Sequence, residues 1–197
     1  MPRLIDADER TAQIAAASMR VLERDGLAGL SVRGVAEEAG IATASLRRAF
    51  PTQHALREHC LRLIEERASG RIAAASQHLN GRHLVEDVLA QLLPLDSERR
   101  TELIAQVQLG VLALTDAQLR PTAIRLNEAV GRVCTSMILH LQGAGGLGAG
   151  RDPEYEALRL NALLDGIALK ALWPDRPLSA KAMRGLLSRH LDELALP

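Results

Sequence analysis

Residues 29–50, GLSVRGVAEEAGIATASLRRAF, decide how the rest of the chain is read. Val32, Val35 and Ala36 recur at helical spacing, and Gly40 stops that helix. Thr43 or Ser45 opens a second short helix that carries Leu46 and Phe50 inward. Two helices joined by a turn of three to four residues containing Gly outline a helix-turn-helix. The internal spacing is more specific than the outline. Ala36 is small enough for the second helix to cross close above it. Gly40 supplies a left-handed turn that a residue with a Cβ adopts reluctantly. Leu46 is the apolar plug of the second helix. Thr43, Ala44, Arg47 and Arg48 then face away from the core, as a recognition helix presents its side chains to the major groove. An ordinary helical hairpin with a glycine turn is the other reading of the same residues.

Bulk properties set the frame. At 197 residues with 47% hydrophobic content, the chain can bury a substantial core. Pro and Gly fall between apolar periodic segments, and β-branched runs are nearly absent, so the expected class is all-α. The formal net charge of zero argues against a polybasic coat, yet allows a local basic face. Lysine occurs only at Lys170 and Lys181 while arginine is abundant, a bias that suggests a G+C-rich genome. Cys60 and Cys134 lie far apart with no C-x-x-C pairing and read as reduced, semi-buried thiols of a cytosolic protein. No apolar run follows the N-terminus and no 18-residue apolar stretch occurs, which speaks against secretion and membrane spanning.

In order, Asp6 or Asp8 caps a first helix to about Arg24, with Ile14, Met19, Val21 and Leu22 inward and Gly26 ending it. Ser31 caps the second helix. Thr52 caps a fourth that continues to about Ser69 or beyond, with Leu56, Cys60, Leu63 and Ile64 inward; Gly70 is a kink or an end, and Asn80-Gly81 a firmer break. Five helical segments follow. The first spans Arg82 to about Leu93. The second is capped weakly by Ser97, with Arg100 three residues on rather than a Glu, and runs to about Leu114. Thr115 or Asp116 opens the third, which reaches about Gln142 and holds Pro121 in its first turn or at a kink. GAGGLGAG at 143–150 reads as a flexible connector. Asp152 and Pro153 open the fourth, which ends before Pro174. Ser179 caps the last, from Ala180 to about Leu194.

The two terminal helices carry further information. Segment 157–173, ALRLNALLDGIALKALW, is apolar around nearly its whole circumference and must be covered on both sides. Met183, Leu187, His190 and Leu194 form one stripe of the last helix, with Leu186 and Leu191 beside it. Such a pair closes a core, meets its copy in a second subunit, or both, because a monomer would expose a large apolar patch.

Together these residues resemble the TetR family of bacterial transcriptional regulators over essentially the whole chain. FPTQHALREHCL at 50–61, LLPLDSERR at 92–100, LLDGIALKAL at 163–172 and LSAKAMRGLLSRHLDEL at 178–194 look like its BetI-type branch. The resemblance implies a three-helix DNA-binding domain at 1–51 and a larger effector-binding and dimerisation domain at 52–197, about nine helices in all. It implies operator DNA contacts from Arg33, Thr43, Ala44, Ser45, Arg47, Arg48, Thr52 and Gln53. Two positions depart from the family pattern: Arg47 stands where Tyr is common, and Gln53 where a Lys commonly contacts phosphate. Arg47, Arg48 and Arg33 must therefore supply the positive charge.

The expected protein is a cytoplasmic, nucleoid-associated homodimer that binds double-stranded operator DNA and a small effector, without cofactor, metal or membrane. A largely apolar effector is expected to release it, as a repressor, from a palindromic operator. Gln106, Leu109, Val130, Cys134, Met137 and Asn161 are the expected ligand contacts, with Gln106 and Asn161 orienting the ligand or simply bonding between helices. Phe, Tyr and Trp occur once each, so an aromatic cage for a cation cannot be built. Leu164, Ile167, Ala168, Met183, Leu187, His190 and Leu194 are the expected dimer contacts. Trp173 is expected to plug a domain or dimer seam, and Gly166 to admit a partner helix. Catalysis finds no support: no H-x-x-x-H, G-x-S-x-G or phosphate loop occurs, and His54/His59 and His78/His83 lie on different helix faces. A helical protein-interaction module without DNA binding is the alternative.

Overall fold

The structure is a computed structural model and describes residues 7–77, 80–173 and 175–196. Among them are nine helices and no strand: α1 (Ala7–Gly29), α2 (Val32–Glu38), α3 (Thr43–Ala49), α4 (Gln53–Ala75), α5 (Gly81–Ala90), α6 (Ser97–Ala113), α7 (Arg120–Gly143), α8 (Pro153–Leu172) and α9 (Ala180–Leu194). No helix is long and apolar enough to cross a membrane among the described residues.

The chain divides into two compact units. One comprises the described residues up to Glu66 together with Ile104–Ala123; the other comprises Arg67–Leu103 and the described residues from Ile124 onward. The first unit therefore holds the expected reading head, the start of α4, and the corner between α6 and α7. Its core is built from Ile14, Val21, Leu22, Leu27, Leu30, Val35, Leu46, Leu56, Cys60 and Leu109. The second unit packs Val85 and Leu89 of α5 and Cys134 and Ile138 of α7 with the inner faces of α8 and α9.

Several boundaries differ from expectation for identifiable reasons. Asp6 lies outside the described residues, and Asp8 sits inside α1 rather than before it. Gly26, at φ 67° and ψ −174°, breaks α1 where expected, but a further helical turn reaches Gly29. Ala42, without a side-chain cap, precedes α3, so Thr43 is its first residue. Gly70 neither ends nor stops α4. Asp96, not Ser97, caps α6, accepting from Arg99 N at 2.9 Å. Asp116 accepts from Gln118 N at 2.9 Å in a separate turn, and α7 begins only at Arg120 with Pro121 in its first turn. The glycine-rich stretch is no free connector. Gly148 N donates to Leu194 O at 2.8 Å, and a Cβ at Gly148 would collide with the Leu196 backbone. Arg151 donates to the carbonyls of Glu193 and Leu196, tying the loop to the end of α9.

Candidate functional site

The turn between α2 and α3 follows from local chemistry. Ser31 Oγ accepts from Gly34 N at 3.1 Å and caps α2. At the other end Gly40, at φ 64°, donates to Glu37 O at 3.1 Å, while Ile41 N donates to Ala36 O at 3.0 Å. This pair of bonds is a Schellman motif and needs the left-handed residue that glycine provides. The helix pair is fixed to α1 by side chains. Gln13 Nε2 donates to Ala39 O at 2.7 Å, and Arg20 and Arg24 both bind the Glu38 carboxylate, at 2.6 and 2.9 Å. Hydrogen bonds from Arg20 and then Arg24 hold the Glu38 carboxyl below its usual range.

This seat sets the face of α3. Leu46 is wholly buried beneath it, whereas Ala44, Arg47 and Arg48 are exposed and Thr43 and Ser45 are half-buried. Phe50 is half-buried, its ring 4.8 Å from the His59 ring at 36°. Ser31, Val32, Arg33, Arg47, Pro51 and Gln53 line one open cleft of about 370 Å³, which brings three of the expected DNA contacts together. Thr52 and Gln53 also have structural duties. Thr52 Oγ1 accepts from Ala55 N at 3.1 Å, and Gln53 Nε2 donates to Leu30 O at 2.8 Å. Arg33 and Arg47 are exposed beside them, so the positive charge of the cleft comes from arginine.

The expected effector residues are divided between the units. Gln106 and the wholly buried Leu109 belong to the first; Val130, Cys134, Met137 and Asn161 belong to the second. Val130 and Met137 pack on the second unit's core, and Cys134 is inside it. Burial pushes the Cys60 thiol up to about 11 and the Cys134 thiol up to about 12, so both remain protonated and unreactive near neutrality. Asn161 is half-buried and lines a cleft of about 430 Å³ with Gly131, Thr135, Asp152, Glu154, Tyr155, Ala157 and Leu158. Its Oδ1 is shut off from solvent without a hydrogen-bond partner among the described residues.

Leu164, Ile167, Ala168, Met183, Leu187, His190 and Leu194, expected at a dimer seam, are all buried within the single chain. They face inward because α8 and α9 pack on α5 and α7. The other side of α8 is open: Tyr155, Leu158, Ala162, Asp165, Leu169 and Trp173 are exposed, at spacings of three or four residues. Trp173, 66% exposed, plugs no seam among the described residues. A Cβ at Gly166 would meet no atom within 4 Å, so this face has room for a close neighbour.

Polar ties that sequence spacing does not announce also shape both units. Arg100 Nη1 donates to Ala171 O at 2.6 Å and so caps the end of α8. Glu156 is buried between Arg151, at 2.8 Å, and Arg159, at 3.1 Å. In the first unit, Gln108 Oε1 accepts the Leu27 N–H.

A short helix seated by one buried leucine, exposing paired arginines beyond a capped glycine turn, defines a helix-turn-helix DNA-binding protein. Comparison with known proteins gives the lineage. Residues 14–60 match the bacterial regulatory proteins of the tetR family, and residues 81–196 match the C-terminal region of BetI-type transcriptional repressors. The chain is 27% identical to the transcriptional regulator PksA of Bacillus subtilis over 100% of its own length and 95% of PksA. It is 30% identical to the multidrug binding protein EbrR, solved with ethidium, covering 94% of this chain and 99% of EbrR at a TM-score of 0.64. A regulator from Saccharomonospora viridis solved with choline shares the fold at 22% identity and a TM-score of 0.81, over 95% of both chains. The protein belongs to the TetR family of transcriptional regulators, with a BetI-type C-terminal region. That family consists of ligand-responsive DNA-binding regulators rather than enzymes, which sets aside an interaction module without DNA contact.

Proposed function

We propose that the protein is a cytoplasmic repressor that grips a palindromic operator as a homodimer and is released by a small, largely apolar effector. The observation that carries the DNA half is the face of α3, where Arg47 and Arg48 stand exposed over the buried Leu46. They are the only formal charges between Glu38 and Arg57. Ala44 and the half-buried Thr43 and Ser45 complete the face toward the base edges, and Arg33, Thr52 and Gln53 flank it toward phosphate.

The dimer seam is the open side of α8. Tyr155, Leu158, Leu169 and Trp173 make an apolar stripe at heptad-like spacing, of the kind that helices cover by pairing. Ala162 and Gly166 let a second helix approach. Two recognition helices related by a two-fold axis must lie about 34–36 Å apart to read successive major grooves. An effector that changes this distance lowers operator affinity, and operator then lowers effector affinity by the same factor.

The effector reading keeps Gln106, Leu109, Val130, Cys134, Met137 and Asn161 as candidate contacts. Tyr155 and Trp173 are exposed, so no interior aromatic cage stands ready for a quaternary ammonium. Choline and ethidium, found in relatives' structures, are therefore informative probes.

Selection of binding duplexes from a random pool tests the reading. An inverted repeat with half-sites about one helical turn apart is expected. Arg47→Ala should weaken binding by about 1–3 kcal/mol with altered sequence preference if Arg47 reads bases, or evenly with a smaller salt slope if it holds phosphate. Selection of no duplex, or unchanged affinity of Arg47→Ala at two salt concentrations, would refute it. Choline that releases the selected duplex at low micromolar concentration would refute the apolar effector alone.

A further inference from the structure

We propose that Gln108 is the positioning residue through which α6 fixes the seat of the DNA-reading helices. The proposal deepens the DNA-binding reading above and rests on it. Gly26, at φ 67° and ψ −174°, breaks the helical spiral of α1 and takes the following N–H out of its ladder. That N–H belongs to Leu27, which is wholly buried, so water cannot satisfy it. Gln108 Oε1, 81 residues away, accepts it instead. The fit is close. A Cβ at Gly26 would lie 2.7 Å from both heteroatoms of the Gln108 amide and would push that amide off the Leu27 N–H, besides straining the positive φ.

The rest of this face of α6 is held by apolar contact. Its buried residues in the first unit are Ala105, Leu109 and Ala113, two of them alanine. Apolar contact is non-directional, and small side chains interlock little; a hydrogen bond fixes axial register. Four residues beyond Leu27, Ser31 caps α2, so the tied amide stands at the root of the helix-turn-helix. The α6 helix itself is continuous from Ser97, in the second unit, to Ala113, in the first. A shift or rotation of α6 therefore loads this bond. Thr122 Oγ1, donating to Glu58 Oε1 at 3.2 Å, makes a second and weaker tie from the start of α7 to α4.

Hydrogen exchange on the full chain and affinity for the wild-type-selected duplex test the proposal. Gln108→Met keeps length and helix propensity but cannot accept from Leu27. It should speed exchange over 27–32 and weaken duplex binding, each by roughly tenfold, as loss of one buried hydrogen bond predicts. Exchange over 157–172 should stay at the wild-type rate. Gln108→Glu, whose carboxylate accepts the same N–H, should restore both; Gln108→Asn, one methylene short, should resemble Gln108→Met and serves if that variant unfolds. Faster exchange with unchanged duplex affinity would leave Gln108 a plain structural bond and overturn the proposal, as would unchanged exchange. A wild-type chain that selects no duplex would refute the DNA-binding reading, while the exchange measurement would still decide whether Gln108 holds Leu27.

Discussion

The α2–α3 pair and the α8–α9 pair are both helix pairs, and they are held by different forces. Over α3 a single leucine is buried, and the orientation comes from polar ties: the Ser31 cap, the Gly40 turn, and the grip of Arg20 and Arg24 on Glu38. In α8 and α9 a dozen side chains are buried, and polar ties act at the ends through Arg100 and Arg151 and midway along α9 through Arg82. Turn chemistry has a direction along the chain, so it says which way Arg47 points. An apolar helix has no such direction. With Leu on nearly every side, α8 buries whichever face its neighbours cover, and those neighbours are distant in sequence.

The largest expected effect separates the two faces of α8 and α9. Leu187→Ala opens a cavity in a wholly buried site and should cost about 2–5 kcal/mol in denaturant unfolding. Leu158→Glu, on the open face, should keep the wild-type helix content yet give monomers by light scattering that no longer shift the selected duplex. A monomeric but well-folded Leu187→Ala, or a stable Leu158→Glu dimer, would move the seam back to the inner face.

Next in size is the buried carboxylate at the start of α8. Glu156→Gln removes the counter-charge of both Arg151 and Arg159. The expected loss is about 2 kcal/mol, below the ~3–5 kcal/mol of fully buried pairs because the Arg159 side chain is 40% exposed. Thermal unfolding reads it; an unchanged midpoint would mean that apolar packing alone holds this end.

How much the residues disclose beforehand follows the same division. The helix pair, Ser31 as cap, Gly40 as turn and Leu46 as plug are legible because each acts within a few residues of itself. The Asp152 and Ser179 caps are legible for the same reason. The inner and outer faces of α8 were not, since 157–173 is apolar all round and periodicity has nothing to choose between. Arg33, Arg47 and Gln53 meet in one cleft as their positions around the turn imply. Gln106 and Leu109 share a helix with Gln108, yet nothing local distinguishes the glutamine that reaches Leu27. Only the left-handed Gly26 hints that a donor there needs a distant acceptor.

A smaller effect probes the local ties of the head. Ser31→Ala leaves Gly34 N without its side-chain acceptor and should cost about 1 kcal/mol. Ser31→Asp retains an acceptor and should recover most of it. A neutral Ser31→Ala would mean that packing of Val32, Val35 and Ala36 seats α2 without the cap.

The smallest effect is electrostatic and belongs to the exposed clamp on Glu38. Arg20 and Arg24 lie more than half in solvent, so salt screens their attraction for the carboxylate. The pH dependence has a definite sign. The folded-state carboxyl titrates below its usual value of 4.5, so the clamp contributes fully above that value and is lost as pH falls through the lower, folded one. Glu38→Gln should therefore lower the unfolding midpoint slightly at neutral pH and low salt, and the difference from wild type should shrink both in high salt and in acid. Exchange over the α2–α3 segment should rise with it, while exchange over α8 and α9 should not, because Glu38 is held by Arg20 and Arg24 of α1. If Glu38→Gln lowers the midpoint equally at all salt concentrations, the clamp acts by packing its side chains rather than by charge, and the two helix pairs are more alike than their polar contacts suggest.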